Sequence, residues 1–252
     1  MSGVPAPLRL SPLPGIPAVR GGDDLAALLL AAAGRAGVRL AGGHLVVCQK
    51  VVSKAEGRTL PLAGVEPSEQ ARRIAAEDAK DPRQVELVLR ESRRIVRRGH
   101  GVLVCETHHG FVCANAGVDQ SNVDADTACL LPEDSDRSAT ALRERLQALT
   151  GHELAVIVAD TFGRPWREGL VNVAVGLAGL EPIVSYLGQE DPAGHVLQAT
   201  ILALADELAG AAEPVMGKLD RVPVAIIRGL DWPRGDGSSR ALLRDPARDL
   251  FR

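Results

Sequence analysis

Apolar positions recur every three to four residues through LAALLLAAAGRA, and Asp23 and Asp24 stand just before them. An acid ahead of such a run accepts bonds from the free N–H groups of a first helical turn, and Gly37 just beyond can take a left-handed cap. The pattern predicts a helix over Leu25–Ala36. Residues 44–53, HLVVCQKVVS, form a β-rich run interrupted by Gln49 and Lys50, with Lys54, Glu56 and Arg58 directly after it. Helical acid and base spacing follows at 67–78. The stretch 84–96 predicts a second helix, with Val85, Val88, Leu89 and Val96 near one side. Arg93 and Arg94 would then leave that helix close to a strand at 101–106, GVLVCE. A helix at 138–149 has its cap at Ser135 or Asp136, and 155–159 is a continuous apolar run of the kind found in buried strands. Residues 172–179 are small and apolar, 186–197 are rich in turn formers, 200–216 are helical until Pro214 kinks or ends them, and 223–227 make a last strand. This alternation gives an α/β fold.

Composition narrows the classes. The 252 residues suffice for one large domain or two small lobes, and with 46% hydrophobic but only 2% aromatic residues the core must be built from Ala, Val, Leu and Ile. A net charge of −3 gives no basic footprint for nucleic acid, despite the local cluster Arg93, Arg94, Arg97 and Arg98. There is no signal-peptide pattern, and no apolar run approaches the roughly 20 residues that span a bilayer. Four cysteines without CxxC spacing read as free thiols of a reducing compartment. A cytoplasmic protein with no membrane partner is expected.

Three stretches carry candidate chemistry. The first, ETHHGFVCANAGVDQSNVDAD at 106–126, joins His108 and His109 to a small-residue run and then to Asp119, Gln120, Ser121, Asn122, Asp124 and Asp126. Short side chains admit close approach of a ligand, and carboxylate, amide and hydroxyl oxygens suit Mg2+ or Mn2+. A polar surface loop would use the same residues. In the second, the run at 155–159 ends on Asp160 and Thr161, with Arg164, Trp166 and Arg167 close behind. An Asp followed by Thr at the carboxyl end of a strand suits a divalent metal beside a phosphate. The third is the Pro- and Gly-rich segment 11–22, either a loose leader or an ordered loop offering backbone N–H groups at Gly15 and Ile16. Lys54, after its strand, is a candidate phosphate contact. Gly217–Lys218 lacks P-loop spacing, with Leu219 in the hydroxyl position, and no GxGxxG occurs, so neither a P-loop nor a Rossmann site is expected.

Four blocks, QKVVSKAEGR at 49–58, ETHHGFVCANAGVDQSNV at 106–123, DTFGRPWREGLVN at 160–172 and ADELAGAAEPVMGK at 205–218, closely resemble the coenzyme F-420:L-glutamate ligase family, the γ-glutamyl ligases of deazaflavin biosynthesis. The likeness runs in order from about residue 14 to 244. The resemblance implies a single ligase domain of one or two lobes, and no fused flavin-reductase domain is expected. It implies a family-specific mixed-sheet fold in an intertwined homodimer. It also implies a reaction in which GTP phosphorylates the precursor's carboxylate and the amine of L-glutamate displaces phosphate to give an amide, with Mg2+ or Mn2+ (two ions) and K+. By position, the resemblance makes Asp119 and Asp160 metal ligands, Thr161 a ligand of a second ion, and Ile16, Pro17, Ala18, Val19, Gln49, Lys54 and Asn122 nucleotide contacts. Glu207 falls at a further metal position, and Met216, Gly217 and Lys218 at a further nucleotide contact. Arg164, beside the metal acids, is assigned to catalysis through phosphate or carboxylate binding, and His108, His109 and Arg167 to the same kind of contact.

Two rival classes remain at this point. A metal-dependent phosphatase built on Asp119 and Asp160 would release phosphate without glutamate. A non-catalytic nucleotide-binding regulator would need the phosphate contacts but not the metal set.

Overall fold

The computed structural model describes residues 6–250. The chain opens with β1 (Arg9–Pro12), α1 (Leu25–Ala36), β2 (His44–Cys48), α2 (Gln49–Ala55) and β3 (Thr59–Pro61). It continues through α3 (Glu69–Asp78), α4 (Pro82–Arg90), β4 (Ser92–Gly99), β5 (Val102–Thr107), β6 (Val112–Ala114) and β7 (Thr127–Cys129). Then come α5 (Ser135–Thr150), β8 (Ala155–Arg164), β9 (Arg167–Ala178), β10 (Val184–Ser185), β11 (Ile201–Leu202), α6 (Leu204–Met216) and β12 (Val224–Arg228).

The central sheet has the order β1-β12-β2-β8-β9, and its pairings are antiparallel except for β2 with β8. Side chains alternate along these strands. Leu45, Val47, Val156 and Val158 therefore meet α1 and α5 on one face, while Val46, Ile157 and Ala159 meet α6 on the other. A third core, with Leu62, Ile74, Val88, Leu103 and Leu130, lies among α3, α4, β5 and β7. This chain segment separates the parallel neighbours β2 and β8. Mixed sheets with helices on both faces match the α/β expectation. No helix among the described residues is long and apolar enough to cross a membrane.

Local chemistry explains several boundaries. Asp24, the second of the two acids ahead of α1, is its cap and accepts from the Ala27 N–H, and Gly37 closes the helix in the left-handed region at φ 64°, as the sequence predicts for that glycine. The cap of α5 is Asp134, one residue before the two expected, because its carboxylate accepts from the Arg137 N–H. Asp136 instead accepts from the N–H of Leu177 and from Ser238 and Ser239, tying α5 to β9 and the C-terminal segment. Gly176 lets that contact form, since a Cβ there would lie 2.3 Å from the Ser135 carbonyl oxygen.

Three expectations are corrected. The strand at 44–53 stops at Cys48, and Gln49–Ala55 is helical: Cys48 pairs with Ala159 in the sheet, and the chain then turns off it. The helix at 84–96 ends at Arg90, and 92–99 pairs antiparallel with β5, so Arg93 and Arg94 lie on an edge strand. Long-range pairing there outweighs a helical pattern that runs through both. The strand starting at Ala155 does not end before Asp160 but continues to Arg164 and returns as β9 in a hairpin.

The segment 11–22 is ordered. Leu13 is fully buried, Val19 is buried, and Ile16 packs against the α1 core. Arg35 donates to the Gly15 carbonyl, and the Gly22 N–H donates to that of Ala55.

Candidate active site

The site forms where the parallel pairing of β2 with β8 ends, at Cys48 and Ala159. β2 finishes at Cys48 and α2 begins at once, so Gln49, Lys50 and Lys54 stand beside the end of the sheet. Lys50 and Lys54 are four positions apart and therefore share one face of the helix. That face grips the loop after β6. The Lys50 ammonium donates to Asp119 Oδ2 at 2.6 Å and to the Ser121 carbonyl and hydroxyl at 2.8 and 2.7 Å. Lys54 donates to the Asn122 carbonyl. Asn122 itself is exposed and left-handed, at φ 56°. Gln49 is buried and donates to the Leu130 carbonyl and to Ser53, which anchors α2 on β7 rather than opening it to a ligand.

Asp119 is placed by a β-bridge to Cys129 and by the Ser121 N–H, which donates to Oδ1 at 2.7 Å. Burial works to raise its carboxyl, but Lys50 and Ser121 outweigh it and hold the group below the usual range. Asp160 behaves in the opposite way. Burial pushes its carboxyl up to about 6, against the bond from the Thr161 N–H and the nearby charges of Lys50 and Lys218. Asp119 adds to the rise, so the two carboxylates lie within each other's field.

Alternation along β8 sends Asp160 to the α1 and α5 side, with Val156 and Val158, and Thr161 to the α6 side. Thr161 lies opposite Asn172 in the β8–β9 ladder and donates to Asn172 Oδ1 at 2.8 Å. Asn172 Nδ2 donates to Glu213 Oε2 at 2.7 Å, and Lys218 bonds both Glu213 Oε1, at 2.9 Å, and Thr161 Oγ1, at 2.6 Å. Lys218 reaches this spot because Gly217, at φ 62° and ψ 178°, turns the chain sharply off α6. Pro214 lies inside α6 without ending it, and Met216 is buried in the core.

Other expected residues lie outside this cluster. Glu207 is exposed in the first turn of α6, six positions or about 9 Å of helix before Glu213. The neighbouring Asp206 turns inward and accepts from the Ala174 N–H. Arg164 sits at the hairpin end of β8, about 13 Å beyond Asp160 along the strand. Its Nη2 donates to the Glu168 carbonyl while its buried Nε has no partner. Arg167 is exposed at the same hairpin end. The histidines serve the loop's structure: His108 Nε2 bonds the Arg90 carbonyl, and His109 Nε2 those of Pro132 and Glu133. The 16–19 segment leads into a turn at 21–22 that lies beside the end of α2, where Gly21 is close to Gly57 and the Lys54 carbonyl.

Sequence reasoning gave no role to Lys50, Asn172 or Glu213. Lys50 was legible once α2 is read as a helix, since it then shares a face with Lys54. Glu213 stood as an acid in an apolar helix. Asn172 had no local signal, because its meaning lies in the cross-strand register.

Among the described residues, no three His, Cys, Asp or Glu side chains converge as a closed metal cage. Asp119 and Asp160 nevertheless fit a hard divalent cation, and the Thr161 hydroxyl offers an oxygen on the opposite face of β8. Mg2+ is held by one or two carboxylates plus substrate phosphates rather than an all-protein shell, and a buried carboxyl raised to about 6 gains most from a cation beside it. A groove of about 350 Å3 between α5 and residues 236–240, lined by Arg137, Arg143 and Arg240, shares none of these residues.

The comparisons with known proteins agree in extent. The F420-0:Gamma-glutamyl ligase family matches residues 15–229. The chain is 50% identical over 242 residues to the coenzyme F420:L-glutamate ligase of Methanothermobacter thermautotrophicus, covering 94% of this chain and 96% of that protein. It is 46% identical over 257 residues to the protein of the same name from Methanopyrus kandleri, with all of both chains covered. The Archaeoglobus fulgidus ligase is 40% identical over 247 residues, covering 97% of this chain and 96% of the relative. The family match takes in α1 through β12 and every residue of the cluster, and the chain belongs to the F420-0:gamma-glutamyl ligase family.

Proposed function

We propose that this carbon–nitrogen ligase joins L-glutamate to the deazaflavin coenzyme precursor F420-0 at the expense of GTP. One observation carries the reading: where the parallel pairing of β2 with β8 ends, Lys50 is ion-paired with Asp119, and the charges of Lys50 and Lys218 act on the buried carboxyl of Asp160. A carboxylate resists attack by an amine until it is phosphorylated, and phosphoryl transfer depends on charge neutralisation and alignment. Lys54, Lys218 and the 16–19 segment orient the triphosphate. The precursor's carboxylate oxygen attacks the γ-phosphorus and GDP leaves. The glutamate amine then attacks the acyl carbon, the carbon–oxygen bond to phosphate breaks, and an amide forms with loss of a proton. Mg2+ or Mn2+, when bound, supplies neutralisation of the phosphates, one ion at Asp119 and Asp160 and a second at Thr161, with K+ assisting. Arg164 draws in a substrate carboxylate through its guanidinium at the hairpin end of β8.

The functional unit in this reading is an intertwined homodimer. Trp166, Leu170 and Leu219 are 83, 67 and 92% exposed, apolar side chains that a second copy would cover.

The test is direct. Pure protein is incubated with F420-0, L-glutamate, GTP and Mn2+, and the product is read by mass spectrometry. A gain of one or more glutamyl units is the expected result. GTP hydrolysis indifferent to both acceptor and glutamate would favour the phosphatase, and binding of GTP without turnover the regulator.

A further inference from the structure

We infer that Glu213 is a positioning residue that sets the hydrogen-bond polarity of Thr161, leaving that hydroxyl only lone pairs to offer the site. An ionised carboxylate accepts and cannot donate. Glu213 Oε2 therefore fixes Nδ2 of Asn172 on its side, at 2.7 Å. Asn172 is 5% exposed, and turning its amide over would bring its oxygen against a carboxylate oxygen. Asn172 Oδ1 must then face Thr161, and because it only accepts, the single hydroxyl proton of Thr161 is committed to it at 2.8 Å. Lys218 Nζ fills one of the two hydroxyl lone pairs at 2.6 Å and is itself tied to Glu213 Oε1 at 2.9 Å. One lone pair remains. An oxygen in this state cannot donate to a phosphate; it accepts from an N–H or coordinates a cation. The four residues come from β8, β9, α6 and the turn after α6, so the relay exists only in the assembled fold.

The inference rests on the reading that Thr161 coordinates a divalent ion, and the experiment separates the two. Mn2+ alone is titrated into the full-length protein, with free Mn2+ read by electron paramagnetic resonance. The proteins are wild type, Thr161→Val, Glu213→Gln, Glu213→Asp and the double variant Glu213→Gln/Thr161→Val, with thermal unfolding alongside. Thr161→Val and Glu213→Gln should each weaken Mn2+ binding at one class of site about fivefold or more, the scale of one hydrogen-bonded contact. Glu213→Asp keeps an acceptor-only group and should stay near wild type. The double variant should bind no more weakly than Thr161→Val. A general loss of stability would act in both backgrounds and cannot imitate that non-additivity. Wild-type affinity in Glu213→Gln with weakened Thr161→Val overturns the relay and leaves the ion reading standing, and additive losses overturn the relay equally. Unchanged binding in Thr161→Val, or no binding by wild type, removes the ion from Thr161 and takes the inference with it.

Discussion

The ammonium of Lys50 lies 2.6 Å from Oδ2 of Asp119, sixty-nine positions away in the chain. The lysine side chain is 14% exposed and the aspartate 49%, so the pair straddles the edge of the site. With Ser121 taking its other two N–H groups, Lys50 has no donor left over. It fixes the loop bearing Asp119 to the start of α2, and through β2 to the strand bearing Asp160.

Lys50→Met should therefore release that loop. Solvent at Asp119 limits the stability loss to about 1–2 kcal/mol. Turnover should fall about a hundredfold or more, because a small displacement of a positioned group has that effect. Urea unfolding and steady-state rates check the two separately. A stable variant with near-normal turnover would make Lys50 a surface contact only.

Asp160→Asn separates stability from function. The folded carboxyl titrates at about 6, above its ordinary 3.8, so the native state binds more protons than the unfolded one between these values. Stability is then fully present below the lower value and falls as pH rises through the window, a cost of about 1–3 kcal/mol at neutral pH. Asparagine carries no such cost. The variant should melt higher than wild type at pH 8, show no advantage at pH 3, and lose turnover. Equal melting at both pH values would mean that Asp160 ionises without penalty.

Lys54→Met and Lys218→Met should raise KM for GTP about tenfold or more, the loss of one charge-assisted bond, with a smaller effect on kcat. Glu207→Gln is the contrast, since Glu207 is exposed in the first turn of α6. Its rate should stay within about twofold of wild type at all Mn2+ concentrations, as is usual for a surface change. A raised Mn2+ requirement in that variant would bring Glu207 into the site.

Gly176→Ala tests the docking of α5 on β9. The added methyl would meet the Ser135 carbonyl oxygen at 2.3 Å, which forces backbone apart and should cost about 2–4 kcal/mol. Chemical denaturation reads the loss directly. An unchanged midpoint would mean that α5 shifts freely on the sheet.

Helix α1, its Asp24 cap and Gly37 stop, the buried start of β8 and the strand Val224–Arg228 were legible because each is written in residues close in sequence. The chemistry of Asp119, Asp160 and Lys218 was legible as residue types and as blocks resembling one family. Local pattern misled where a long-range pairing competed with it. At 92–99, hydrogen bonds to β5 outweigh a helical pattern. At Cys48, a pairing with Ala159 fixes where strand gives way to helix.

Tertiary structure alone decided which side chains meet. The histidine pair, prominent in the sequence, bonds backbone carbonyls, while Lys50 and Asn172, given no role from sequence, hold the two halves of the site. Sequence by itself determined α1, α5, α6, the residue types that build the core and the kind of chemistry available, because periodicity and side-chain type are local properties. The parallel register of β2 with β8, and the pairing of Thr161 with Asn172, join positions that no local rule relates. That register sets Asp160 toward Lys50 and Asp119 on one face and Thr161 toward Glu213 and Lys218 on the other. The physical reason is the two-residue period of the strand: neighbours in sequence point to opposite faces, and only the packed sheet supplies what lies on each.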